Sequence, residues 1–361
     1  MDIFSLLCLA KTKGASDLHL VVSSPPTVRV NGDLKPLEDM KPLSPEDTSQ
    51  AFQQITTPEQ QEYFQHHLEL DFSYSLPDIG QIRCNAAQER KSISIVIRLL
   101  PSVIPTIQEL RLPEVCNELI LKPRGLVIIS GPTGSGKSTT LASMIQFLNT
   151  NRQRRVVTIE DPIEYLHPSI ECMITQRELG SDTLSFAEAL RHVLRQDPDV
   201  ILVGEMRDTE TAAAVLNVAE TGHLVLSTGH APSAAQAIER VMDLFPPYER
   251  NLVQAQLASL ILGVLCQVLV PKIDGSVRVP AVEVMLGIPP VRNLIREGKI
   301  YQLPNVIRTH GQSGMITFDQ ALSDLYLQGI ISRESLFAFC NDREEVEKLS
   351  RARLEPTHLP A

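Results

Sequence analysis

No two cysteines lie close together in this sequence: the six, Cys8, Cys84, Cys116, Cys172, Cys266 and Cys340, are scattered along 361 residues. That spacing excludes a zinc-ligand set or a disulfide framework and points to a reducing cytoplasm. Positive charge is also in deficit, with 33 Lys and Arg against 43 Asp and Glu and a net charge of -10. A general electrostatic attraction to nucleic acid or anionic lipid is therefore excluded. No apolar run is long enough to cross a bilayer. The longest, Leu257 to Val270, is too short and is interrupted by Ser259 and Gln267. The opening MDIFSLLCLA is apolar, but Asp2 precedes it and Lys11 and Lys13 follow, the reverse of a signal peptide. Leu6, Leu7 and Ala10 instead suit one face of a short helix stopped by Gly14. Internal repeats and low-complexity tracts are absent. Membrane association must then run through a partner.

What remains is a chain with 43% hydrophobic and 21% charged residues, long enough for two ordinary domains with real cores. Residues 15 to 100 alternate short strand-like runs with turns: LHLVV, TVRV, LDFSY, QIRCNAA and SISIVIRLL. A helix-like segment over residues 44 to 66 intervenes. This reads as a small α+β domain over 1–104, with Pro101 and Pro105 marking a linker. Residues 105–361 change character. LVIIS, RVVTIE, VILVGE and HLVLST alternate with helical patterns, the mark of a parallel α/β sheet. From about residue 245 the pattern reads as mostly helical, a bundle flanking that sheet.

Between the LVIIS strand and a helix face of Leu141, Met144, Ile145 and Leu148 stands GPTGSGKS, residues 131 to 138. It matches the G-x-x-x-x-G-K-[ST] phosphate loop in the required context. Gly131, Pro132, Thr133, Gly134, Ser135 and Gly136 form the turn, and Lys137, Ser138 and Thr139 open the helix. Glycines let backbone N–H groups face phosphate, and the helix N-terminus adds partial positive charge. Lys137 is expected to reach the β- and γ-phosphates of ATP, and the Ser138 hydroxyl to bind magnesium.

Three segments follow in order: RVVTIEDPIEYLH (Arg155 to His167), DPDVILVGEMRD (Asp197 to Asp208) and TGHLVLSTGH (Thr221 to His230). Taken singly, an acidic cluster after a strand is more often a turn and helix cap, and a lone histidine is usually structural. Together, behind a phosphate loop, they resemble the Asp box, Walker B and His box of the secretion-superfamily ATPases. The buried VILVGE strand delivers Glu205 to the sheet's C-terminal edge, where a carboxylate can deprotonate the attacking water. Gly204 fills the usual Walker B aspartate position, as in the family, and Asp199 reads as a turn residue. Magnesium's outer waters would fall to Glu160, Asp161 or Glu164. The resemblance implies Glu164 and Glu205 as the catalytic carboxylates, with Glu205 first. His230 ends a strand and is placed to sense the γ-phosphate, while His223 shapes a loop. Where the family reads T-L-H-T-N-S, this chain reads Thr228-Gly229-His230-Ala231-Pro232-Ser233, which changes the loop's stiffness. The resemblance also implies that Arg83 and Arg98 of the first domain serve the bound phosphates, as guanidinium forks suit developing phosphoryl charge.

Residues 291 to 298, VRNLIREG, resemble the AIRNLIRE motif of the PilT-like type IV pilus retraction ATPases, and ASDLHL at 15 to 20 resembles their opening. Pro289 and Pro290 precede a short helix that Gly298 can cap. Its Arg292 and Arg296, at i and i+4, suit an acidic partner surface or a neighbouring subunit. The zinc insert and extra N-terminal domain usual in extension-type ATPases are missing. The resemblance thus implies a RecA-like ATPase domain behind a PAS-like domain, in a cytoplasmic homohexamer using ATP and magnesium. It implies docking at the inner membrane on a pilus platform protein, indirect action on pilin, possible pairing with a paralogous retraction ATPase, and no nucleic acid. The alternatives are an extension or secretion-type ATPase, an accessory retraction paralogue, and a nucleotide-binding scaffold with little turnover.

Overall fold

The structure, a computed structural model, describes residues 2–30, 32–76, 80–100, 103–275 and 277–352. These group into two compact units. The first is Met1–Val103 together with Glu164–Leu166, and the second is Ile104–Ile163 with His167 onward.

The first unit opens with α1 (Ile3–Thr12), whose N–H groups at Phe4 and Ser5 are capped by the Asp2 carboxylate. Ile3, Leu6, Leu7 and Ala10 are its buried face. Then come β1 (Asp17–Leu20), β2 (Thr27–Val30), β3 (Asp33–Pro36), α2 (Pro45–Ile55), α3 (Pro58–His67), β4 (Glu69–Leu76), β5 (Gly80–Glu89) and β6 (Ser92–Leu99). The strands form one antiparallel sheet in the order 3-2-1-6-5-4. The single helix expected over 44 to 66 is two helices. Thr57, directly before Pro58, and Gln60 at the third helical position form a second capping box, so the chain restarts there. Strand β3 was not anticipated, since its four residues are all exposed and carry no buried face.

In the second unit, α4 (Val115–Ile120) leads into β7 (Gly125–Ser130), α5 (Lys137–Asn151), β8 (Arg155–Glu160), β9 (Met173–Glu178) and α6 (Phe186–Val193). Next are β10 (Val200–Val203), α7 (Thr209–Glu220), β11 (Leu224–Thr228), α8 (Ala234–Asp243) and α9 (Arg250–Leu260). The last part holds β12 (Ile261–Pro271), β13 (Arg278–Leu286), α10 (Pro289–Arg296), α11 (Leu303–Thr309), α12 (Phe318–Leu327), α13 (Arg333–Phe339) and α14 (Arg343–Ala352). The sheet order is 13-12-7-11-10-8-9, parallel except for β13. Every residue of β7, β10 and β11 is buried. Along β7, Val127 and Ile129 pack with Leu141, Met144 and Leu148 of α5 on one face. Leu126 and Ile128 pack with α6, α7, α8 and α9 on the other.

The helical reading beyond residue 245 is corrected here. Ile261–Pro271 and Arg278–Leu286 form a hairpin, and β12 joins the sheet beside β7. A strand covered on both faces has no polar face, so its apolar run carries no period to tell it from a buried helix. Helices α12, α13 and α14 pack Phe318, Leu322, Leu336 and Val346 on the hairpin's outer half.

Candidate active site

Four adjacent strands end at one edge of the second unit's sheet, and each delivers one part of the site. After β7 the chain turns through Gly131 to Gly136 into α5. Gly131 sits at φ +140, and a Cβ there would come within 2.3 Å of the Gln267 carbonyl oxygen, so no other residue fits. Gly136 at φ +88 is the last residue before the helix. Pro132, Thr133 and Gly134 are exposed, Ser135 is buried, and Ser138 and Thr139 lie partly buried in the first turn of α5. The Lys137 ammonium donates to the Gly131 and Pro132 carbonyls, at 2.8 and 3.1 Å.

Glu205 follows β10 and His230 follows β11, next to each other because the strands pair in parallel. Glu205 Oε1 lies 3.0 Å from His230 Nε2, and Oε2 lies 2.8 Å from Arg207 Nε. Arg207 reaches on to Asp161, after β8, at 3.7 Å. The Glu205 side chain is 18% exposed, so this carboxylate is a mostly shielded charge with a cation or imidazole on each oxygen. A cavity of about 200 Å³ opens beside it, lined by Glu205, Arg207, His230, Arg240, Ile128 and Leu244. Glu160 ends β8 and accepts from Thr158 and Gln176. His223 and Asp199 stand at the opposite ends of β11 and β10, where Asp199 accepts from the Arg155 N–H at 2.7 Å. The altered loop is anchored by Ser130, whose hydroxyl donates to the Ala231 carbonyl at 2.7 Å; a Cβ on Gly229 would stand 3.3 Å from that hydroxyl. Glu283 of β13 accepts from the Ala234 N–H that starts α8. Burial raises its carboxyl above the usual range, opposed by N–H donors of Ala234 and Phe318.

Other residues are placed differently. Glu164 groups with the first unit. Arg83 and Arg98 are direct partners across β5 and β6, both exposed. Arg98 also stands opposite Asp17 of β1, its Nε 3.0 Å from the buried Asp17 carboxylate, and Arg29 approaches the same carboxylate at 4.0 Å. Sequence reasoning missed one group. Gln267 of β12, 1% exposed, lies against the phosphate loop, with its side-chain N–H donating to the Ser135 carbonyl at 2.6 Å. Its carbonyl accepts from the Thr140 hydroxyl at 2.9 Å. The available signal was a lone amide inside an apolar run, because a buried amide must find partners. Beside it opens a cavity of about 350 Å³, walled by Leu110, Leu112, Leu269, Val279, Gly136 and Thr139.

The expectation for Arg292 is corrected. Its guanidinium donates to three backbone carbonyls, Gly287 at 2.6 Å, Ser259 at 3.1 Å and Ile261 at 3.1 Å. These close the end of α9 and the hairpin, so Arg292 is committed inside its own unit. Arg296 is exposed.

Residues 79–315 match the family described as Type II/IV secretion system protein. The chain belongs to that family. The Type IV pilus retractation ATPase PilT of Pseudomonas aeruginosa is 46% identical over 93% of this chain and 97% of its own length. The Type IV pilus ATPase PilU of the same organism is 41% identical over 96% of this chain and 90% of its own. Among solved structures, the pilus retraction motor PilT with bound ADP superposes with TM-score 0.90 at 40% identity, covering 96% of this chain and 99% of that one. Within the family, the chain stands with the retraction ATPases by both sequence and fold.

Proposed function

We propose that this protein is a magnesium-dependent ATPase that works as a hexameric ring and powers retraction of type IV pili. The observation carrying the proposal is the convergence of the glycine loop, Lys137, Glu205 and His230 on one edge of a parallel sheet. Gly131, which admits no side chain, lets backbone approach the phosphates. The 350 Å³ cavity beside Gly136 and Thr139 has the apolar walls a purine base needs. Glu205 takes the proton of the attacking water, and His230, on its Oε1, reads the γ-phosphate position. Among the described residues no three His, Cys, Asp or Glu gather as a metal cage. That suits magnesium, which keeps water and phosphate oxygens and needs little beyond the Ser138 hydroxyl from protein. When bound, it neutralises charge on the transferring phosphoryl group.

Glu164 is a second carboxylate of the cycle. Arg83 and Arg98 complete the site of a neighbouring subunit, which makes the ring necessary for turnover. No helix among the described residues is long and apolar enough to cross a membrane. The likeness to pilus retraction ATPases supports a ring that works in the cytoplasm, docked on a platform protein of the inner membrane and acting on pilin through it. The wild-type protein should hydrolyse ATP only with magnesium, and Lys137→Ala should abolish turnover. A strain lacking the gene should be hyperpiliated by pilus imaging; a bald strain would instead mark an extension motor. The Gly229-His230-Ala231-Pro232 loop favours one second reading, an accessory retraction paralogue with weak turnover. In that case ATPase would be low and the pilus phenotype would depend on the paralogue.

A further inference from the structure

We propose that Gln267 is a positioning residue for nucleotide binding: from β12 it holds the Ser135–Gly136 peptide so that the Gly136 N–H points into the phosphate cradle. The proposal rests on the reading of residues 131–138 as the phosphate loop.

A trans peptide sets its C=O and N–H in opposite directions. The Gln267 side-chain N–H takes the Ser135 carbonyl at 2.6 Å, on the side of the loop facing β12. The N–H of the next residue, Gly136, is therefore turned the other way. The amide cannot swing round, because its carbonyl is engaged by Thr140 in the first turn of α5 at 2.9 Å. One planar group thus joins the last bend of the loop to the helix that follows it. The backbone is in register as well, since the Gln267 carbonyl oxygen is the atom that a Cβ on Gly131 would strike. One residue of a buried strand thus holds the loop at Ser135 by a hydrogen bond and abuts it at Gly131 by close backbone approach. A glycine-rich loop has the most backbone freedom to lose on binding, and a clamp that has already removed it strengthens phosphate binding. Gln is the side chain that fits, because one partner is an acceptor and the other a donor.

Two variants of the full protein test this, by ADP titration with magnesium. Gln267→Met keeps the volume but has no donor, and should weaken ADP binding by about tenfold at every pH. Gln267→Glu carries a proton to donate only while its carboxyl is neutral. At pH 8 it presents carboxylate oxygens to the Ser135 carbonyl, and ADP affinity should fall at least about tenfold below wild type. At pH 5.5 burial favours the neutral acid, and the deficit should shrink to about threefold or less. The charged side chains around this position are Lys137, Lys272, Arg111, Arg278 and Glu109, the last held low by Thr106 hydrogen bonds. Glu283 of the neighbouring strand is common to wild type and variant, so the wild-type profile subtracts it. A Gln267→Met protein that binds ADP as wild type does overturns the proposal, as does a Gln267→Glu deficit equal at both pH values. A Lys137→Ala arm that keeps wild-type affinity would defeat the loop reading and the clamp with it; where that arm loses affinity, the two Gln267 variants decide the clamp by themselves.

Discussion

Charged side chains are brought together by different means in the two units. In the first unit they meet by register: Arg29, Asp17, Arg98 and Arg83 occupy one row across four antiparallel strands that turn and fold back on one another. In the second they meet by topology, because parallel strands all end at the same edge, and Glu205, His230, Asp161 and the glycine loop each follow a strand there. A row set by register depends on every pairing along it, since a slip of one residue turns its side chains to the other face. An edge set by topology gathers the loops at one place whatever each contains, and leaves them free to specialise.

The largest test falls on the edge. Glu205→Gln should lower ATP turnover by at least about a hundredfold while nucleotide still binds, as for loss of a general base. Near-normal turnover would move the base to Glu164 and take the second unit's edge out of the chemistry. Next comes the row. If Arg98 works on a neighbour's nucleotide, mixing inactive Lys137→Ala and Arg98→Ala subunits should restore about a quarter of wild-type ATPase, since in a head-to-tail ring one interface in four then pairs an intact loop with an intact arginine. Native mass spectrometry verifies that rings are mixed, and no recovery in mixed rings would confine the row to its own subunit. The smallest test separates two arginines one helical turn apart in α10. Arg292→Ala should cost about 3 kcal/mol in chemical denaturation, because three carbonyls lose a charged donor. Arg296→Ala should stay within about 0.5 kcal/mol, as exposed substitutions do. Equal costs would mean that Arg292 is as dispensable to the fold as its exposed neighbour.

Much of the edge could be read before any coordinates, because each of its parts is contiguous in sequence: a glycine loop, an acid after VILV, a histidine after LVLST. The row was legible only through resemblance, since Arg83, Arg98 and Asp17 look like ordinary strand residues until their pairing is known. The hairpin was misread because Ile261 to Val270 is apolar on both faces. Gln267 and Arg292 escaped for a shared reason. Their partners lie across the fold: Ser135 and Thr140 for the amide, and Ser259 and Ile261 together with the local Gly287 for the guanidinium. Local spacing pointed to Arg296 as its mate, whereas packing directed it inward.

Helix α9 passes into β12 without a loop, since Ile261 caps the helix and begins the strand. From Gly263 to Cys266 the strand is bonded to β7 on one side and β13 on the other, and its register against β7 shifts between Ile261 and Gly263. From Ile261 to Gln267, at about 3.3 Å per residue, the strand spans about 20 Å, and the register shift near Ile261 is where it can bend. A displacement of α9 therefore meets that shift first, and then a stretch held on both sides that ends at Gln267 beside the phosphate loop. At its other end Arg292 donates to the carbonyls of Ser259, Ile261 and Gly287, so one guanidinium joins the end of α9, the start of β12 and the residue after β13.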